Sequence, residues 1–183
     1  MKKDTIFQFV CFVTNLPFEE FVIKWETYAK RFMNKRVETT LQEQFQTKGR
    51  FKYISQHQWP HDDFQFEFME GREGSEQFPE HNVKVVQAGG YTPMQIEYNH
   101  HEMNGAVKVM AFISHRENDI DFYKNLSLFR YLNIYEAYYE SCTYAYIMEF
   151  FVEEIQVADL LQQLKSRTGI EVAIYKECLV PHT

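Results

Sequence analysis

The stretch from Tyr144 to Val152 constrains the fold more than any other part of the chain. In an extended strand, successive side chains point to opposite faces. Tyr144, Tyr146, Met148, Phe150 and Val152 then share one face, and Ala145, Ile147 and Phe151 share the other. Both faces are apolar, so both must be covered. Ile6 to Val13 reads the same way, with Gln8 its one polar interruption. A sheet of such strands needs helices on one face and a second apolar layer on the other.

The remaining patterning supplies those parts. Thr14-Asn15 are cap-type residues and Pro17 suits a first helical turn. Phe18, Phe21, Val22, Trp25, Ala29, Phe32 and Met33 then recur at helical spacing, with Glu19 and Glu20 early and Lys30 and Arg31 late, as the helix dipole prefers. Thr39 to Gln46 and Phe51 to Trp59 flank Thr47-Lys48-Gly49-Arg50, a hairpin signal. A short helix from His61 to Glu70 and strands from Val83 to Ala88 and Tyr91 to Tyr98 follow, with Gly89-Gly90 as a bulge or bend. The second half repeats the order: a strand at Val107 to Ile113, a helix from Asp119 to Leu132, strands at Tyr135 to Ser141 and Thr143 to Val152, a helix around Val157 to Leu164 closing at Gly169, and a last strand at Ile170 to Val180.

Each half is therefore β-α-β-β-α-β, the ferredoxin-like plan. The expected fold is α+β, with tandem ferredoxin-like βαββαβ repeats forming an intrachain pseudo-dimeric α/β barrel. Residues 1–98 and 106–183 make the two halves of one compact unit, with Asn99 to Gly105 as the linker. The 31 aromatic residues (17 Phe, 12 Tyr, 2 Trp) of the 183 would fill the space between two facing sheets.

Charge narrows the partners. Nineteen basic against 26 acidic residues give a net charge of −7, which argues against nucleic acid and anionic membrane. No apolar run reaches bilayer-spanning length. The N-terminal stretch lacks a signal-peptide cleavage pattern. A cytoplasmic protein binding a small apolar or aromatic molecule is expected, as a monomer or a homo-oligomer. Cys11, Cys142 and Cys178 form no Cys-x-x-Cys pair and read as small buried hydrophobes.

On the Phe51 to Trp59 strand, Phe51, Tyr53, Ser55, His57 and Trp59 fall on one face by alternation. An imidazole between a phenol and an indole suits an aromatic ligand or a proton relay. His57 and His61 have a metal-pair spacing, but Pro60 separates them, and no metal site is expected. His100 and His101 belong to the linker, and His115 and His182 to element ends. Glu149, Glu153 and Glu154 read as a solvated strand end. No phosphate-binding glycine loop or nucleophile elbow occurs.

The run Phe51-Lys52-Tyr53-Ile54-Ser55-Gln56-His57-Gln58-Trp59, followed by a polar start and Phe64, resembles the dimeric α/β-barrel superfamily, in its antibiotic-biosynthesis-monooxygenase-like and haem-degrading-monooxygenase-like branches. Ser75-Glu76-Gln77-Phe78-Pro79-Glu80-His81 is similar to the stretch that follows in the haem-degrading branch. The resemblance covers about residues 40–81. It implies a monooxygenase-like oxidoreductase acting on an aromatic or polycyclic compound, with Trp59 as a pocket wall and His81 as the matching histidine; the strand face adds Tyr53 to the pocket and His57 as the other catalytic candidate. In such enzymes the substrate itself can activate oxygen, so no resident cofactor is expected; haem is the group that His81 would hold. Pro79 interrupts what is helix in that branch, and Gln8 stands where its first strand carries an Asn. The alternative is a non-catalytic ligand- or protein-binding module with a filled barrel.

Overall fold

Strand β1 (Thr5–Val13) is hydrogen-bonded on both edges and buried through most of its length, as its two apolar faces require. The computed structural model describes residues 5–33, 38–46, 49–60, 82–97, 106–115, 120–126 and 128–178. After β1 come α1 (Phe18–Met33), β2 (Glu38–Gln44), β3 (Tyr53–Pro60) and β4 (Lys84–Gln95). Then follow β5 (Ala106–Ile113), α2 (Ile120–Lys124), β6 (Tyr131–Ala137), β7 (Tyr146–Glu153), a 3₁₀ turn (Glu154–Gln156), α3 (Val157–Lys165) and β8 (Ile170–Cys178). The helix expected from His61 to Glu70 lies outside the described residues.

The eight strands close into an antiparallel barrel in the order β1-β3-β2-β8-β5-β7-β6-β4. Strands β1 to β4 stand together in the spatial order β4-β1-β3-β2, and β5 to β8 in the order β8-β5-β7-β6. Two seams join these quartets: β2 with β8, where Leu41 faces Cys178 and Gln44 faces Tyr175, and β4 with β6, where Tyr91 faces Ala137. Closure leaves no exposed sheet edge.

Alternation sorts side chains into an inner and two outer layers. Phe9, Cys11, Ile54, Tyr91, Met110, Phe112, Ile147, Ala173 and Tyr175 point inward and pack across the barrel. Phe21, Trp25, Tyr28 and Ala29 of α1 cover Ile6, Val10, Phe12, Leu41 and Tyr53. Leu160 and Leu164 of α3 and Tyr123 of α2 cover Val109, Ile134, Met148 and Phe150. Burying each of these large apolar side chains contributes roughly 1.5–3 kcal/mol against chain entropy.

Several elements depart from the sequence expectations. Helix α2 stops at Lys124 rather than near Leu132. Asn125 ends it: its side-chain amide takes the Asp121 carbonyl at 2.8 Å, and its backbone N–H is shared between Asp121 and Phe122. Leu132 and Ile134 are instead strand residues, opposite Phe150 and Met148, so the Phe122, Leu126, Phe129 spacing continued into a strand and mimicked a longer helix. Strand β6 accordingly begins at Tyr131 and ends at Ala137, and β7 begins at Tyr146. The two strands expected between Val83 and Tyr98 are replaced by the single strand β4, Lys84–Gln95. Gly89, at φ +114°, sits where the β1–β4 register slips, and a Cβ there would lie 2.6 Å from Cys142 Sγ. Cys11 is fully buried, and burial pushes its thiol well up, but Cys142, in the connection between β6 and β7, and Cys178, the last residue of β8, are only half-buried.

Glu149 overturns the solvated-strand-end reading. It points into the barrel and is 1% exposed. Lys108 Nζ donates to its Oε1 at 3.1 Å; Asn133 Nδ2 and Tyr135 Oη donate to its Oε2 at 3.1 and 2.9 Å. Gln56 Nε2 donates to Tyr135 Oη at 3.4 Å and Gln42 Nε2 to Gln56 Oε1 at 3.2 Å, so one chain of bonds crosses from the second quartet to the first. Burial alone would raise the Glu149 carboxyl, but the Lys108 charge and the donated bonds outweigh it and hold it below its usual value.

Replacing Glu149 by Gln leaves the Lys108 ammonium buried without its counter-charge. Urea unfolding is expected to show a loss of about 3–5 kcal/mol, most of it recovered in the paired Lys108→Met, Glu149→Leu protein. Because the folded carboxyl is lowered, this contribution is present at neutral pH and fades as pH falls through the folded value.

Candidate functional site

The first quartet carries an unusual row on its helix-facing side. The β1–β3 register sets Gln8 opposite His57, and the β2–β3 register sets Thr39 opposite the same histidine. Ser55 lies two residues back on β3 and Trp59 two residues ahead, so alternation puts both on the same face. Elsewhere this layer is built from Val10, Phe12, Phe21, Trp25 and Leu41. A polar row across three strands is therefore set into an apolar surface.

The contacts within the row are specific. Thr39 Oγ1 lies 2.9 Å from His57 Nδ1, and Ser55 Oγ lies 2.9 Å from Nε2. His57 and Ser55 are wholly buried. Burial pushes the imidazole down to about 3, so it is neutral at physiological pH and accepts one hydrogen bond while donating the other. Trp59, 1% exposed, donates its indole N–H to Gln8 Oε1 at 3.0 Å. An indole can only donate, so this bond fixes the Gln8 amide with its NH₂ turned away from Trp59. Gln8 is half-buried, and that NH₂ meets no acceptor among the described residues.

The structure brings together His57 and Trp59 of the expected site residues, but not Tyr53. The Tyr53 ring stacks on Phe21 of α1 at 3.9 Å, and its hydroxyl donates to the Leu16 carbonyl at 2.9 Å. Six residues of strand, about 20 Å, separate Tyr53 from Trp59. Phe51 does not share their face. It precedes β3 and turns into the barrel against Phe112 and Tyr144, because the hairpin connection, not the strand pleat, sets its direction. His81 lies outside the described residues, as do His61, His100, His101 and His182. His115 is exposed.

Sequence reasoning missed Gln8 and Thr39 as members of this row. Gln8 had a signal, as the one polar residue in an apolar strand. Thr39 had none, since only strand register places it beside His57. Among the described residues no cluster of three or more His, Cys, Asp or Glu is placed to hold a metal ion. No described helix is long and apolar enough to cross a membrane. Two clefts of about 270 Å³ open at the end of the barrel, one beside Cys142 and Tyr144 and one beside Arg50 and Tyr175.

No family model matches the chain, and no curated protein does. Solved structures of chlorite dismutase from Candidatus Nitrospira defluvii are similar in fold. An arginine-to-glutamate variant aligns with a TM-score of 0.56 at 9% identity, over 96% of this chain and 93% of that one. An arginine-to-alanine variant aligns at 0.57 and 8%, over 96% and 92%. A tryptophan-to-phenylalanine variant in complex with cyanide aligns at 0.52 and 10%, again over 96% and 92%. At such identities the likeness is one of fold.

The neutral buried His57 sets an acid response. Its folded value of about 3 lies below the ordinary value of 6.5, so the unfolded chain takes up a proton that the folded chain refuses. Stability is expected to fall as pH drops from about 6.5 toward 3, by at most about 1.4 kcal/mol per pH unit. Denaturant unfolding at pH 7 and pH 5 checks this, with a shallower slope for His57→Gln. The Glu149 contribution acts at lower pH and persists in that variant.

Proposed function

We propose that this chain is a small-molecule-binding protein of the dimeric α/β-barrel type, and that its two strand quartets, in residues 1–98 and 106–183, are tandem ferredoxin-like halves of one unit. In support, each quartet has the ferredoxin-like order, its fourth strand beside its first and its third beside its second. The fold likeness to chlorite dismutase along nearly the whole chain agrees with that reading. If it is right, residues 1–98 alone will not form a stable monomer. Phe9, Cys11, Ile54 and Tyr91 would lose their covering side chains, and the fragment should self-associate or remain unfolded by sizing and circular dichroism. A stable monomeric fragment would overturn it.

The ligand site belongs on the helix-facing side of β1, β3 and β2. The observation that carries this is the Gln8 amide: held by Trp59, half-buried, and presenting an unused NH₂ donor beside an indole. Such a donor suits an aromatic compound with a carbonyl or phenolic oxygen, the oxygen on the half-buried Gln8 and the buried Trp59 beneath it holding the amide in place. His57 then acts as a neutral hydrogen-bonding group that orders Ser55 and Thr39. With a hydroxyl oxygen 2.9 Å from each ring nitrogen, His57 presents no open nitrogen to a substrate's proton, which favours binding over oxidoreductase catalysis.

The residue expected to hold haem, His81, lies outside the described residues. The one buried imidazole among them, His57, has hydroxyl oxygens 2.9 Å from both ring nitrogens, which leaves no nitrogen to serve as an axial ligand. No step is derived through it.

Fluorescence of a Trp25→Phe protein reports on Trp59 alone. The replaced Trp25 indole N–H has no hydrogen-bond partner among the described residues, so the change removes no bond between them. Titration with 2-naphthol is expected to quench the emission to saturation, and Gln8→Leu to weaken binding about fivefold or more. Oxygen uptake should stay at background. Quenching without saturation, or indifference to Gln8→Leu, would sink the assignment, and uptake dependent on 2-naphthol would restore the oxidoreductase reading.

A further inference from the structure

A second feature lies far from the polar row, at the end of the barrel formed by the segment before β3 and the start of β8. A cleft of about 270 Å³ is lined by Gly49, Arg50, Phe112, Glu171, Ala173 and Tyr175, with Phe51 at its floor. Drug-sized ligands occupy roughly 300–1,000 Å³, so this space suits something smaller. Its floor is apolar: Phe51, Phe112, Ala173 and Tyr175 are buried barrel residues whose outer ends close the interior. Gly49 lies so close to this floor that a Cβ would come within 2.7 Å of the Ala173 methyl.

The rim carries one charge of each sign. Arg50 Nη1 donates to Glu171 Oε1 at 3.2 Å and to Tyr144 Oη at 3.3 Å, and the guanidinium lies 5.1 Å from the Phe51 ring centre. Its Nε and Nη2 take no partner among the described residues, and the side chain is 47% exposed. Glu171 is 38% exposed and uses one oxygen on Arg50; its Oε2 is turned inward, buried, and accepts no hydrogen bond among the described residues. Arg50 therefore keeps open donors toward the cleft, and Glu171 keeps an unsatisfied carboxylate oxygen that a turn of the group brings there. A simple anion would meet Glu171, and a simple cation would meet Arg50. A ligand with both charges, laid antiparallel to the pair, meets neither repulsion.

We propose that this cleft binds a free α-amino acid with an apolar side chain. Its carboxylate takes the open edge of Arg50, its ammonium takes Glu171 after a turn of the carboxylate, and its side chain rests on the Phe51–Phe112–Tyr175 floor. The site is separate from the Gln8–Trp59 row and stands or falls independently of it.

Calorimetric titration of the full chain with L-phenylalanine tests this, beside phenethylamine, which lacks the carboxylate, and 3-phenylpropanoate, which lacks the ammonium. L-phenylalanine should bind, and each analogue about tenfold or more weaker, the loss of one charge-assisted contact. Arg50→Gln and Glu171→Gln should each weaken L-phenylalanine by a similar factor. Equal binding of either analogue, no heat at roughly 10 mM L-phenylalanine, or binding indifferent to both substitutions would overturn the proposal. Should either variant fail to fold, the analogue comparison on the unaltered chain decides alone.

Discussion

Closure of the sheet through the β2–β8 and β4–β6 seams is the constraint on which the rest of this structure depends. Each quartet has one face covered by helices and one face lined with rings that water would otherwise reach. Only when both seams form are all strand edges paired and both inner faces hidden at once. The helices, the hairpin between β2 and β3 and the bulge at Gly89 then serve to bring these short seams into register.

The described inner residues pack ring against ring across the barrel, which directs attention to its outer faces and its ends. The interior contains a buried ion pair within a network of amides and a phenol, in place of a wholly apolar packing. Its energetic return is small, because desolvating Lys108 and Glu149 offsets most of their attraction. Its geometric demand is strict, since Asn133, Tyr135, Gln56 and Gln42 each bond at a set register position. One consequence is that slipping any of five strands by a residue would strand a charge or an amide inside. Uniqueness of pairing between the quartets is the property such a network serves.

Much of the architecture was legible from local pattern. Strand β1 and helix α1 declared themselves by burial on both faces and by a 3.6-residue stripe, and the β2–β3 hairpin by its glycine-bearing turn. The end of α2 was not legible, because apolar residues spaced for a helix also suit a helix that gives way to a strand, and a single Asn125 side chain decides between them. Glu149 was misread for a related reason. A carboxylate near the end of an apolar strand is ordinarily solvated, and its lysine partner is 41 residues away on β5, reached only through the β5–β7 pairing.

The candidate site divides along the same line. That His57 and Trp59 share a face follows from the two-residue period of a strand, so the sequence by itself determined their side of the sheet. It also determined the supply of aromatic bulk. Only the tertiary structure decided that Gln8 and Thr39 join His57, that Tyr53 belongs to the α1 packing, and that Arg50 meets Glu171 across 121 residues. Periodicity acts along one strand and can be read locally. Which strands become neighbours, and in what register, depends on burying every apolar face together, and that condition exists only for the closed barrel.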